Sequence, residues 1–208
     1  MFIGVAGLFV FCLATVANAQ GLPDTVAKVK PSIVGIGTYL PTRGPQSQLH
    51  GTGFVVGDGY HVITNAHVVK VPLAIEKKEK LVVFVGTGKS VSQRDARILV
   101  LDENHDLALL RISGSKLPAL TVADSREVRE GQHYAFTGFP IGAILGLYPA
   151  THRGMISSIT PIAAPMADSR QLTPALIKRL KAAYEIFQLD ATAYPGNSGS
   201  PLYDDKTR

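Results

Sequence analysis

The sequence predicts an all-β fold of two barrel lobes with one helical insert. Three observations predict it. Short β-branched and aliphatic runs recur along the first half, turn residues separate them, and a second series follows after a polar connection. The first series comprises residues 32–38, 53–56, 61–64, 81–85, 96–101 and 107–112. Gly57-Asp58-Gly59 between the second and third runs reads as a hairpin turn. Six such strands close one small barrel, which removes exposed edges. Residues 118–130 read as the connection between lobes. The second series holds residues 134–137, 154–159, 187–190 and 200–203. The expected division is therefore 1–19 as a leader, 24–125 as the first lobe and 126–208 as the second. Within the second lobe, Thr173 can cap a helix with Pro174 in its first turn. Leu176, Ile177, Leu180, Tyr184 and Phe187 then fall on one face. That face packs on the barrel wall in the plain reading. In the sharper one the insert gates substrate, because it directly precedes the strand leading to Ser198.

Composition agrees with a folded, exported protein. Apolar residues make up 46% of the chain and charged ones 18%, which argues against disorder. Residues 2–16 are almost wholly apolar, and Ala17-Asn18-Ala19 has the small-x-small form of a signal-peptidase site. Cleavage after Ala19 would leave a secreted or periplasmic protein with no stable membrane insertion. The apolar run is shorter than the roughly 20 residues of a membrane span. No Lys or Arg precedes it, so an uncleaved anchor stays open. The single cysteine, Cys12, sits in the leader, so the mature chain has no disulfide, thiol nucleophile or cysteine-bound zinc. His50, His61, His105, His133 and His152 lack metal-ligand spacing, and no cofactor or metal is expected. The net charge of +5 is scattered, with no Lys or Arg run longer than a pair, so nucleic acid is not an expected partner.

The chemistry concentrates at three places. Gly196-Asn197-Ser198-Gly199-Ser200 sets a serine on a tight glycine turn. The N–H groups of Gly196 and Ser198 can converge there on an oxyanion. A serine hydroxyl needs a base beside it and an acid to orient that base. Thr64-Asn65-Ala66-His67 delivers an imidazole at a strand end, and His105-Asp106 places a carboxylate at the start of an apolar strand. Buried behind His67, Asp106 would fix the imidazole tautomer. Asp102 is the rival acid, but no apolar strand directly follows it.

TNAHVV, DENHDLALLRI and QLDATAYPGNSGSPL, in the order His–Asp–Ser, resemble the trypsin-fold serine proteases of the HtrA (DegP-like) branch. Residues 26–36, Gly51-Thr52-Gly53-Phe54 and Thr137-Gly138-Phe139-Pro140 are similar to further segments of that domain. The resemblance implies a double β-barrel of the chymotrypsin/trypsin type, with His67 as base, Asp106 as orienting acid and Ser198 as nucleophile. It assigns the oxyanion hole to the N–H groups of Gly196 and Ser198. It also places Thr192 at the base of the specificity pocket, where an uncharged hydroxyl favours small or aliphatic side chains. Asn197 stands where digestive relatives pair an aspartate with a new amino terminus, so activation without zymogen cleavage is implied. Ser200 departs from the usual second glycine. The implied activity is a serine endopeptidase acting on polypeptide substrates, unfolded or in the cell envelope, and a homo-oligomer is compatible with it.

The carboxyl end departs from this pattern. After residues 200–203 a trypsin-type second barrel would continue with about two more strands, so the reading expects a fragment with an incomplete second barrel. An extended chain should then hydrolyse casein faster than these 208 residues alone. The alternative is a non-catalytic trypsin-fold binding or chaperone-like module, or an inactive fragment. A GxSxG lipase is disfavoured, because Ser200 replaces the second glycine and the histidine precedes the serine.

Overall fold

Six antiparallel strands pair edge to edge and close the first lobe. The computed structural model describes residues 21–140, 147–161 and 184–204. In chain order the strands are β1 (Ile33–Tyr39), β2 (Ser47–Val56), β3 (His61–Thr64), β4 (Lys80–Val85), β5 (Ser92–Asp102) and β6 (Leu107–Ile112). They form a closed antiparallel barrel in the order β1-β2-β3-β6-β5-β4. Along β6, Ala108, Leu110 and Ile112 point inward and are buried, while Leu107, Leu109 and Arg111 face out. Val34, Ile36, Val55, Val62 and Val83 join them in the barrel core, all without solvent exposure. Each such aliphatic side chain stabilises the fold by about 1.5–3 kcal/mol on burial.

All six predicted strands are present. β2 and β5 begin several residues earlier than their apolar runs, at Ser47 and Ser92. Pairing explains the extension: Gln48 lies opposite Thr38, and Asp95 opposite Val82. Backbone hydrogen bonds continue there although the side chains are polar. A short helix, α1 (Leu22–Val29), precedes the barrel and was not expected. Its Val29 packs with Ile33 and, across the lobes, with Phe139.

The second lobe is an open four-stranded antiparallel sheet among the described residues. It contains β7 (His133–Gly138), β8 (Ala150–Pro161), β9 (Glu185–Leu189) and β10 (Leu202–Asp204), ordered β10-β7-β8-β9. The expected leader 1–19 and the body of the expected helix, 173–183, lie outside the described residues. Phe187 belongs to β9, opposite Ile159, in agreement with the strand expected over 187–190, so the helical face does not reach it. Tyr184 precedes the strand without regular structure. No helix among the described residues is long and apolar enough to cross a membrane.

Leu110→Ala should lower the unfolding free energy by about 2–5 kcal/mol through lost burial and the cavity left behind. Val100→Thr, at an outward site on β5 that is 56% exposed, should stay within about 0.5 kcal/mol. Urea denaturation midpoints measure both.

Candidate active site

β3 ends at Thr64, and the chain turns at Asn65 into a single helical turn, α2 (Ala66–Val69), which carries His67 at the barrel rim. The turn between β5 and β6 brings Asp106 to it. The Asp106 carbonyl accepts from the Ala66 N–H at 3.1 Å and from Asn65 Nδ2 at 2.9 Å. Its carboxylate accepts from the His67 N–H at 2.9 Å and meets His67 Nδ1 at 2.7 Å. A carboxylate there accepts a hydrogen bond from Nδ1–H, which leaves Nε2 as the unprotonated nitrogen of the neutral ring. Asp106 holds φ at +54°, a left-handed conformation costly for a residue with a side chain. Four bonds to residues 65–67 hold it there. The sequence reading placed this carboxylate in a buried position, whereas its side chain is 45% exposed. It sits on a rim turn rather than inside the strand.

Asp102 does not compete for His67. Its Oδ2 meets His105 Nδ1 at 2.6 Å, and its Oδ1 accepts from the N–H groups of Asn104 and His105. The His105 side chain, then its N–H, hold the Asp102 carboxyl below the usual carboxylate range. The stabilisation is therefore present above the ordinary carboxylate pKa and is lost as pH falls through the lower folded value.

Ser198 lies on a turn in which the Asn197 N–H donates to the Tyr194 carbonyl and the Ser200 N–H to that of Asn197. Gly196 and Gly199 take φ of +99° and +86°, which favour glycine. Among the described residues the N–H groups of Gly196 and Ser198 donate to no carbonyl. Thr52 of β2 anchors this turn from the first lobe. Its hydroxyl donates to the Gly196 carbonyl at 2.7 Å and accepts from the Phe139 N–H at 3.0 Å. Its own N–H donates to the Ser198 carbonyl at 2.8 Å. A Cβ added to Gly51 would lie 2.9 Å from the Ser198 carbonyl oxygen and 2.8 Å from Val68, the residue after His67.

The structure thus brings His67 and Asp106 into direct contact and sets the Ser198 turn across Gly51 from α2. Among the described residues no hydrogen bond joins the Ser198 hydroxyl to His67. Thr192 departs from expectation, because it is exposed and lies outside the cavity lining. Its neighbours Ala191 and Ala193 belong to that lining. They border a cavity of about 430 Å³ beside Ser198, together with Phe136, Leu189, Tyr194 and Leu202. Sequence reasoning missed Thr52, Asn65 and Phe136. Thr52 carried a signal, being the one hydroxyl between two glycines just ahead of the histidine strand. No group of three His, Cys, Asp or Glu side chains among the described residues could hold a metal.

Residues 51–208 match the family model of the trypsin-like peptidase domain. The chain is 30% identical over 155 residues to a periplasmic serine endoprotease DegP-like protein of Halomonas elongata, covering 74% of this chain and 27% of the relative. It is 32% identical over 189 residues to serine protease HTRA1A of Danio rerio, covering 87% and 34%. The crystal structure of Deg5 superposes with a TM-score of 0.63 at 26% identity, over 88% of this chain and 78% of that one. The chain spans about a quarter to a third of the length of the curated relatives it matches.

Thr52→Val keeps the shape of the anchor but orphans the Gly196 carbonyl and the Phe139 N–H. The expected loss is about 1–3 kcal/mol of stability for each group left buried and unpaired. Thr52→Ser, which keeps the hydroxyl, should recover most of it in the same thermal melts.

Proposed function

The chain belongs to the trypsin-like peptidase domain family, in its HtrA-like branch, and from that membership we propose that it is a serine endopeptidase. The observation that carries the reading is the 2.7 Å contact of His67 Nδ1 with Asp106 Oδ2, made beside a glycine turn that presents Ser198. In this mechanism His67 Nε2 takes the proton of the Ser198 hydroxyl as Oγ attacks the scissile carbonyl. Asp106 keeps the ring in the required tautomer and stabilises the imidazolium that forms. The uncommitted N–H groups of Gly196 and Ser198 receive the oxyanion, a role that favours the transition state over the ground state. His67 then returns the proton to the leaving amine, and the acyl group stays on Ser198. Water hydrolyses that ester by the same transfers in reverse.

Substrate choice follows the cavity. Phe136, Leu189, Ala191, Ala193 and Leu202 supply its apolar wall. A lysine or arginine before the scissile bond would lose hydration there without gaining a carboxylate, so small or aliphatic side chains are preferred. Unfolded or cell-envelope polypeptides offer such side chains in extended form. The relative from Halomonas is described as periplasmic, and a leader cleaved after Ala19 would carry this protein to the same compartment or beyond.

A fluorophosphonate should label Ser198, and Ser198→Ala or His67→Ala should abolish the label. Asp106→Asn should slow labelling by about 10³–10⁴-fold, the scale expected when the tautomer is lost. Peptides with Val or Ala before the scissile bond should outpace those with Lys by at least ~10-fold in kcat/KM. A protein that folds yet takes no label would instead be a trypsin-fold binding module.

A further inference from the structure

The turn that carries Asp106 is fastened from three directions. Its carbonyl and carboxylate are tied to residues 65–67 of the first barrel. Within the turn, the Asp102 carboxylate holds the backbone N–H groups of Asn104 and His105 and the ring of His105. The third fastening comes from the second lobe. Tyr184, directly ahead of β9, lays its ring against that of His105 with centroids 4.6 Å apart, and its hydroxyl donates to the Asn104 carbonyl at 3.3 Å. Nothing in the hydrolytic mechanism uses Tyr184, and it lies outside the lining of the Ser198 cavity.

We propose that Tyr184 is a positioning residue for the hydrolysis, holding from the second lobe the turn that presents Asp106 to His67. The inference rests on the reading of His67, Asp106 and Ser198 as a triad. Asp106 has a side chain and yet holds φ at +54°. Such a conformation persists only where its surroundings over-determine it. Residues 65–67 fix Asp106 from one side. On the other side its preceding residue, His105, is fixed by Asp102 and by the Tyr184 ring. Without Tyr184, the Asn104 carbonyl and one face of His105 turn to solvent, and the turn keeps fastenings on the first barrel alone. The same stretch of chain continues through β9 to the turn of Ser198. One segment therefore reaches the acid at its start and the nucleophile at its end, which ties the two catalytic halves across the lobe boundary.

The test uses the native full-length protein with Tyr184→Ala and Tyr184→Phe. Three measurements are made: kcat and KM on an apolar peptide, the far-downfield proton resonance of the His67–Asp106 hydrogen bond, and thermal melting. Tyr184→Ala should lower kcat about tenfold, in line with the cost of a small misplacement of a catalytic group, with KM within about twofold. Its downfield resonance should shift or broaden. Tyr184→Phe keeps the ring contact and should recover most of kcat. If Tyr184→Ala does not fold, Tyr184→Leu fills the volume without ring or hydroxyl and reads the same contacts. An unmoved resonance in a folded Ala or Leu variant overturns the proposal, as does a change confined to KM. A wild-type protein that keeps the resonance but cleaves no peptide sinks the endopeptidase reading, while the effect of Tyr184 on the resonance is still measured.

Discussion

Thr52 is the point from which the rest of the site is held. It has no solvent exposure, and its polar groups meet four partners in three separate parts of the chain. The hydroxyl bridges the Gly196 carbonyl and the Phe139 N–H, the N–H holds the Ser198 carbonyl, and the carbonyl accepts from Thr64 Oγ1 at 2.6 Å. A buried polar group left unmatched is costly, so such a residue is tolerated only where every partner is in place. Thr52 therefore couples the first barrel to the turn that presents the nucleophile. Glycines make the approach possible. A Cβ on Gly199 would sit 2.1 Å from the Thr52 carbonyl oxygen, and one on Gly138 would sit 2.8 Å from its hydroxyl. Neither contact leaves room for a side chain.

A second constraint acts through Asp106. The sheet directs β6 away from β5 through a tight turn, and the conformation needed there is one that glycine would adopt at lower cost. Asp106 occupies it, and its carboxylate there accepts from the His67 N–H and meets the ring Nδ1. The local strain is offset by hydrogen bonds that also orient His67, so the arrangement that stabilises the turn also sets the histidine ring. Asp102 illustrates the difference. It lies one short turn earlier with the same functional group, yet its carboxylate is committed to the N–H groups and imidazole of its own turn.

Much of this architecture was legible in the chain. The six barrel strands stood out because each carries a β-branched or aliphatic run bounded by turn residues, and in β6 that run also alternates between core and surface. The pairing of His67 with Asp106 followed from their placement at strand ends, where side chains project over the rim. Other features had weaker signatures. The polar first halves of β2 and β5 are strands only because neighbours supply backbone partners, which no local pattern reports. Phe187 was read both at the end of a helical face and at the start of a strand, and pairing with β8 decides for the strand. Thr192 was placed by counting back from Ser198, which fixes a position in the chain but not the direction its side chain takes. Thr192 is exposed, while its neighbours Ala191 and Ala193 border the cavity.

The polar groups around the site are not equally satisfied, and the imbalance has a direction. On the first-barrel side, Thr52, Thr64, Asn65 and Asp106 all have partners. On the second-lobe side, both amide atoms of Asn197, the hydroxyl of Ser200 and Nε2 of His152 are buried with no partner among the described residues. Each such group costs about 1–3 kcal/mol relative to a paired one, and in native proteins they gather at strained or reactive places. His67 and Asp106 thus stand where the neighbouring polar groups are bonded. Ser198 stands on a turn whose buried Asn197 amide and Ser200 hydroxyl lack partners among the described residues. Rearranging that turn would break the bonds from Thr52 to the Gly196 and Ser198 carbonyls, and moving His67 would break its two bonds to the Asp106 carboxylate. Among the described residues the buried side-chain groups without partners therefore lie on the Ser198 side of the site, on the opposite side of Gly51 from the histidine.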